Sequence, residues 1–85
     1  MKIKYTKQAL KALRAYDKST RQLIRGKIKD LTETPPKGDI KSLQGSKTKK
    51  RLRIGSYRVV FEYIVEDKVK FLMINIIDTR GGVYK

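Results

Sequence analysis

The densest group of side chains that could bind a phosphate lies just past the middle of the chain. Residues 47–58 contain six cations and no acid: Lys47, Lys49, Lys50, Arg51, Arg53 and Arg58. Arginine presents a planar fork of N–H donors that fits phosphate oxygens, and lysine adds a compact point charge. Strand alternation would place Lys49, Arg51 and Arg58 on one surface. In the alternative interpretation, these charges only protect a sheet from edge-to-edge pairing.

Arg58 stands out within this group because it interrupts an apolar run, 57–65. A guanidinium in such a strand needs a carboxylate or a phosphate as its partner. Glu62 follows four residues later and shares the same side of the strand by alternation. It is the expected partner if Arg58 has a structural role, and a bound phosphate is the alternative.

Proton transfer has few candidate groups in this sequence. The chain contains no His and no Cys, which excludes histidine triads, cysteine nucleophiles and thiolate zinc sites. Its eight acids are scattered, so no metal site and no cofactor are expected. Tyr84 follows Gly81 and Gly82, which allow a bend back over the sheet. Neighbouring arginines would lower the pKa of Tyr84 there and make it a general base, whereas a core or frayed-end tyrosine is the alternative.

The length, composition and net charge limit what kind of protein could carry these sites. A chain of 85 residues supports one domain, 1–85, and its 39% of hydrophobic residues can form a modest core. The 22 basic and 8 acidic residues give a net charge of +14, which favours a polyanionic partner, although an acidic protein would suit the same field. No apolar stretch approaches the roughly 20 residues of a membrane span, and no signal-peptide core is evident. We therefore expect a soluble, cytoplasmic protein without membrane contact.

Hydrophobic periodicity predicts the elements that would position these side chains. Residues 2–6 alternate as a short strand, and residues 7–16 follow the spacing of an amphipathic helix. A second helix is predicted to begin near Ser19, which forms a capping box with Gln22, and to end before Pro35.

The second half of the chain reads as a loop followed by strands. The loop is expected from Pro35 to Lys50, and the strands at 51–54, 57–65 and 69–77. The last run is nearly all apolar and is therefore predicted to be central. The order β-α-α-β-β-β predicts an α+β fold, in which an N-terminal strand and a helical hairpin pack on a mainly antiparallel four-stranded sheet.

Four short motifs resemble the RelE/ParE toxin superfamily. They are Pro35-Pro-Lys-Gly, Lys41-Ser-Leu-Gln-Gly, Arg51-Leu-Arg-Ile-Gly-Ser-Tyr-Arg-Val-Val-Phe and Arg80-Gly-Gly-Val-Tyr-Lys. The resemblance covers nearly the whole chain, agrees with the predicted element order and implies the toxin of a type II toxin–antitoxin pair. RelE-type members cleave mRNA in the ribosomal A site, whereas ParE-type members keep the fold and poison DNA gyrase. The motifs identify the superfamily better than the activity.

For a RelE-type mRNA interferase, the resemblance also implies site residues. The matched catalytic positions are Lys49, Arg51, Arg58, Arg80 and Tyr84, and the implied RNA-binding residues are Lys47, Lys50 and Arg53. The implied reaction is metal-free attack of a ribose 2′-hydroxyl on the adjacent phosphate. Tyr84 would be the base, and Arg58 would hold the phosphate.

The resemblance implies partners and carries one departure from the family pattern. The implied partners are mRNA and ribosomal RNA, an acidic or amphipathic RelB-like antitoxin, and operator DNA only through the antitoxin complex. Asp78 stands two residues before Arg80, where the best-known members carry another Arg. We expect Asp78 to pair with Arg80 or Lys49 and to weaken a nuclease; a solvent-facing turn cap is the alternative. A ParE-like gyrase inhibitor and a catalytically inactive binding protein are the other two hypotheses.

Overall fold

A computed structural model describes residues 1–79 of the chain, which form two helices and five strands. In chain order they are β1 (Lys2–Tyr5), α1 (Lys7–Ala15), α2 (Lys18–Asp30), β2 (Asp39–Ser42), β3 (Lys50–Ile54), β4 (Tyr57–Glu66) and β5 (Val69–Thr79). Neither of these two helices has the length and apolar character needed to cross a bilayer.

The five strands form one sheet in the order β1-β5-β4-β3-β2. Strand β1 runs parallel to β5, and the other three pairings are antiparallel. A parallel neighbour needs a crossover connection, which α1 and α2 supply between β1 and the rest of the sheet. The predicted α+β class and the mainly antiparallel sheet are confirmed, and the apolar strand β5 lies inside the sheet as expected.

The prediction of a four-stranded sheet was wrong by one strand. Residues Asp39–Ser42, which were expected to lie in a loop, form β2 and pair with β3 at the edge of the sheet. Only Ile40 of these four side chains is turned away from solvent. Asp, Lys and Ser have low strand propensity, so nothing local marks this segment, and its conformation depends on the ladder to β3.

Both helices begin at a polar cap. The Thr6 hydroxyl accepts a hydrogen bond from the Ala9 N–H (3.2 Å) and donates one to the Asn75 carbonyl of β5 (2.7 Å), which ties the start of α1 to the sheet. In α2 the cap is Asp17, whose carboxylate accepts from the Thr20 N–H at 2.9 Å. The predicted capping box at Ser19 was therefore wrong, because Asp17 reaches the third helical N–H first and starts the helix at Lys18.

The two helices cover one face of the sheet and share its hydrophobic core. The core joins Ala9, Leu13, Ile24 and Ile28 of the helices and Leu31, which caps the end of α2, with Leu52, Ile54, Val59, Phe61, Leu72, Ile74 and Ile77 of the strands. Because strand side chains alternate between faces, the neighbours of these core residues point to the opposite side. We call that side, away from the helices, the outer face.

A β-bulge adjusts the register between β4 and β5. Val60 lies opposite Ile76, but Phe61 lies opposite Ile74, so Asn75 is the additional residue on β5. Beyond the bulge Arg58 lies directly opposite Asp78. Residues that pair directly across a ladder share a face, so the bulge helps set which acid meets Arg58.

Candidate phosphate-binding face

Three of the arginines in the described part of the chain lie on the outer face. Leu52 and Ile54 of β3 are buried in the core. Arg51 and Arg53 alternate with them along the strand, so their side chains point to the outer face. Arg58 lies directly opposite Arg53 on the neighbouring strand and shares its face. Alternation alone predicts this arrangement, and the ladder brings the three guanidinium groups onto one surface.

Arg58 forms a two-point ion pair with Asp78. Its Nε donates to Asp78 Oδ1 at 3.1 Å and its Nη2 to Oδ2 at 2.8 Å. The hydrogen bonds to Asp78, and then the charge of that carboxylate, raise the pKa of the Arg58 guanidinium above its ordinary value. The side chains of Arg58 and Asp78 are 42% and 38% exposed, so water still reaches both ends of the pair.

Two expectations about this pair were wrong. Glu62 is not the partner of Arg58: it accepts hydrogen bonds from Thr48 and Asn75, each at 3.1 Å. Four residues along a strand span about 13 Å, too far for a side-chain contact, whereas a cross-strand neighbour is adjacent. Asp78 was expected to pair with Arg80 or Lys49. It lies inside β5 opposite Arg58 and binds that residue, not Lys49, whereas Arg80 lies outside the described residues.

Asp39 is a further acid on this face that sequence reasoning did not identify as part of the site. Its Oδ1 lies 3.5 Å from Arg51 Nη1, and its Oδ2 lies 3.2 Å from Arg53 Nε. Arg51 also donates to the Asp39 carbonyl at 3.2 Å, and its side chain is only 13% exposed. The Arg53 Nε atom is buried and, despite its closeness to Asp39, has no hydrogen-bond partner of suitable geometry within residues 1–79. The Gly38-Asp39 turn signal was the only local hint of this position.

The three lysines predicted for the site do not share one location. Lys47 and Lys49 are exposed in the segment between β2 and β3, and Lys49 is the last residue before β3. Lys50 lies opposite Phe61, a core residue, and therefore occupies the helix side of the sheet, away from Arg51. Lys50 instead lines a groove of about 300 Å³ together with Phe61 and Tyr63. Because strand side chains alternate between faces, Lys50 lies on the opposite face of the sheet from Arg53, and the RNA-binding role that the resemblance implies for Lys50 stays a prediction.

Two predicted catalytic residues, Arg80 and Tyr84, lie outside the described residues. Among the tyrosines that are described, three have pKa values raised by burial: Tyr5, Tyr16 and Tyr63. The hydroxyl of Tyr63 is further committed as a donor to the Leu31 carbonyl at 2.6 Å. A raised pKa disfavours the phenolate, so none of these three is suited to accept a proton at neutral pH.

Comparison with known proteins gives both a family and a set of similar folds. A family model described as the ParE toxin of the type II toxin–antitoxin system parDE matches residues 3–80. The search of curated proteins finds no significant match. Among solved structures, the archaeal RelE–RelB complex from Pyrococcus horikoshii OT3 has 30% sequence identity and a TM-score of 0.71, and the match covers 94% of each chain.

Two further structures share the fold at lower identity. The RelB–RelE complex from Methanococcus jannaschii matches with 23% identity and a TM-score of 0.70, over 95% of this chain and 94% of that one. The isolated RelE toxin of E. coli matches with 18% identity and a TM-score of 0.74, over 93% of this chain and 83% of that one. The family match spans nearly all of the fold, including every strand of the arginine-bearing face. The chain therefore belongs to the RelE/ParE superfamily of type II toxins.

Proposed function

We propose that this toxin is a ribosome-dependent endoribonuclease that cuts mRNA in the A site. The observation that carries the proposal is the placement of Arg51, Arg53 and Arg58 together on the outer face. An mRNA backbone would present one phosphate after another to such a face, and charge-assisted contacts with guanidinium groups are the strong ones. The net charge of +14 supports docking on ribosomal RNA through sequence-independent contacts.

The proposed reaction needs no metal and no cofactor. The 2′-oxygen of one ribose attacks the adjacent phosphorus, the bond to the 5′-oxygen of the next nucleotide breaks, and a 2′,3′-cyclic phosphate and a 5′-hydroxyl result. Arg58 would neutralise the charge that develops on the phosphate oxygens. Arg80 would be a second phosphate contact or the donor of a proton to the leaving oxygen.

Tyr84 is the proposed base that removes the 2′-proton. The chain has no histidine, and the three partly buried tyrosines named above have raised pKa values, which makes them unsuited to the task. Lys49, an exposed residue directly before β3, would assist. Arg51 is a poor base because a guanidinium does not lose its proton in proteins, so we assign it to phosphate binding.

The proposed partner is a cognate antitoxin. The similar archaeal structures are complexes of RelE with RelB. An acidic or amphipathic antitoxin would complement the basic surface of this chain and cover the outer face. The complex, not the free toxin, would bind operator DNA, and the place of action would be the cytoplasm, where mRNA is translated.

Mapping transcript 5′ ends after brief induction of the toxin tests this proposal. We expect new 5′ ends inside translated codons, with a matched transcript that lacks its start codon left intact. The untranslated transcript controls for nucleolytic activity without ribosomes. Growth arrest with uncut transcripts would contradict the proposal.

A ParE-like gyrase inhibitor is the second candidate function, and two observations favour it. The matching family model is that of the ParE toxin, and Arg58 is already occupied by Asp78. A gyrase inhibitor needs neither a free phosphate clamp nor a general base. Purified gyrase assayed with the toxin would lose supercoiling activity in this case, while translated transcripts would stay intact.

A further inference from the structure

Four charged residues form one continuous row across the outer face. Asp39 lies opposite Arg53, Arg53 opposite Arg58, and Arg58 opposite Asp78, so the row crosses β2, β3, β4 and β5. Its order is acid, arginine, arginine, acid. The two arginines are direct cross-strand neighbours, with Cα atoms about 4.5–5.5 Å apart in such pairs. Like charges directly opposite each other destabilise a sheet, so an anion bound to the central arginine pair would relieve the repulsion between the two guanidinium groups.

The two aspartates supply that negative charge from the ends of the row. Asp78 accepts hydrogen bonds from Nε and Nη2 of Arg58. A guanidinium has five N–H groups, so three of those in Arg58 are not bonded to Asp78. At the other end, Arg53 Nε lies 3.2 Å from Asp39 Oδ2, is buried, and has no hydrogen-bond partner among residues 1–79. A ligand between the two arginines would therefore meet the terminal N–H groups of Arg53 and the N–H groups of Arg58 that Asp78 does not use, on side chains that are 39% and 42% exposed.

A phosphodiester has the charge and the oxygen geometry to compete with these carboxylates. It carries one negative charge, as a carboxylate does, and it accepts the same paired N–H bonds from an arginine fork. The ion pairs it would weaken are partly exposed to water on both sides. Partly exposed ion pairs are weak, so a ligand phosphate can displace them.

We propose that Arg53 and Arg58 form a two-arginine phosphate site, in which Asp39 and Asp78 are internal competitors of the bound RNA backbone. The proposal rests on the proposed function only for the identity of the polyanion as RNA. It assigns Arg53 to the same phosphate as Arg58, and it makes Asp78 a residue that weakens substrate binding without being required for the fold.

Binding of a short, fluorescent 2′-O-methyl oligouridine, measured by anisotropy at fixed salt, tests this proposal. The methylated probe has no 2′-hydroxyl nucleophile, so the measurement is independent of cleavage and of the ribosome. We expect Asp78→Asn to bind roughly fivefold more tightly than the wild type, which corresponds to about 1 kcal/mol. Asp39→Asn should strengthen binding in the same direction, and it supplies a second variant should Asp78→Asn fold poorly.

Asp67→Asn is the matched control. It makes the same change in net charge, but it lies in the turn between β4 and β5, at the other end of β4 from Arg58. We expect it to alter binding by less than about twofold, since the salt screens distant charges. Asp78→Asn should also lose its advantage when it is combined with Arg58→Gln, and Arg53→Gln should weaken binding on its own.

Two results would overturn the proposal. One is equal tightening by Asp78→Asn and Asp67→Asn, and the other is unchanged tightening in the Arg58→Gln background; both would assign the effect to net charge. Failure of the proposed nuclease would appear separately, as uncut mRNA on ribosomes while the pattern of oligonucleotide binding persists.

Discussion

Replacing Arg58 with Ala should abolish mRNA cleavage and leave the protein folded. The side chain lies on the outer face, and its charged end binds Asp78. The Arg58 and Asp78 side chains are 42% and 38% exposed, and ion pairs of this kind contribute about 0–1 kcal/mol to the free energy of unfolding. The backbone ladder between β4 and β5 does not depend on the side chain.

The expected effect on the reaction is much larger. Removal of one donor that stabilises transition-state charge lowers the rate by about 10²–10³-fold, or roughly 3–4 kcal/mol. Asp78 would also be left without its partner, so its carboxylate would repel the scissile phosphate. Arg58→Ala should therefore cleave more slowly than the double variant with Asp78→Asn.

The assay is single-turnover cleavage of mRNA on programmed ribosomes at saturating toxin, alongside circular dichroism and urea unfolding of each variant. Arg14→Ala, at an exposed arginine in the last turn of α1, controls for the loss of one positive charge. Cleavage by folded Arg58→Ala within about threefold of the wild-type rate would refute the role of Arg58. Unfolding of Arg58→Ala would show instead that the pair with Asp78 is structural.

Three further predictions concern the base, one cap and two glycines. Tyr84→Phe should bind ribosomes normally but cleave poorly, as primer extension on programmed ribosomes would show, because only the phenolic hydroxyl is lost; wild-type cleavage would exclude Tyr84 as the base. The hydrogen bonds of the α2 cap hold the pKa of Asp17 below its ordinary value, so its stabilising effect is present above about pH 4 and disappears as the pH falls below that. Urea midpoints should accordingly fall less steeply between about pH 5 and 2 in Asp17→Asn, which keeps a cap that does not titrate, and identical slopes would contradict this. Gly38→Ala should lower the free energy of unfolding by about 1–3 kcal/mol, because φ is +133° and an added Cβ atom would lie 2.6 Å from Leu52 Cδ1. Gly26→Ala should raise the free energy of unfolding by about 0.5–1 kcal/mol, because Gly26 is inside a helix and an added Cβ atom would have nothing within 4 Å. Thermal or urea unfolding measures both changes, and the opposite signs would contradict the glycine argument.

The sequence allowed the arginine face to be predicted because alternation is a local property. Leu52 and Ile54 mark the buried side of β3, so Arg51 and Arg53 must face the other way wherever the strand lies. The helices follow from local spacing in the same manner. The fold class could therefore be read from periodicity before any pairing was known.

The partners of the arginines could not be predicted because they depend on register. Asp78 meets Arg58 only after the bulge at Asn75 has shifted the pairing of β4 and β5 by one residue. Asp39 reaches the face only because β2 adds to the sheet edge, and its short polar segment has little strand propensity of its own. Both acids sit far along the chain from the arginines they bind, so sequence distance gives no indication of the contact.

The most direct test of the proposed nuclease uses two mRNAs that differ by one oxygen atom. Each is placed on ribosomes with the same A-site codon, with either ribose or 2′-deoxyribose at the nucleotide that supplies the nucleophile. The account predicts one cut in the ribose mRNA, with a 2′,3′-cyclic phosphate and a 5′-hydroxyl at its ends, and no cut in the deoxyribose mRNA. Intact ribose mRNA at saturating toxin, or equal cutting of both, would contradict it.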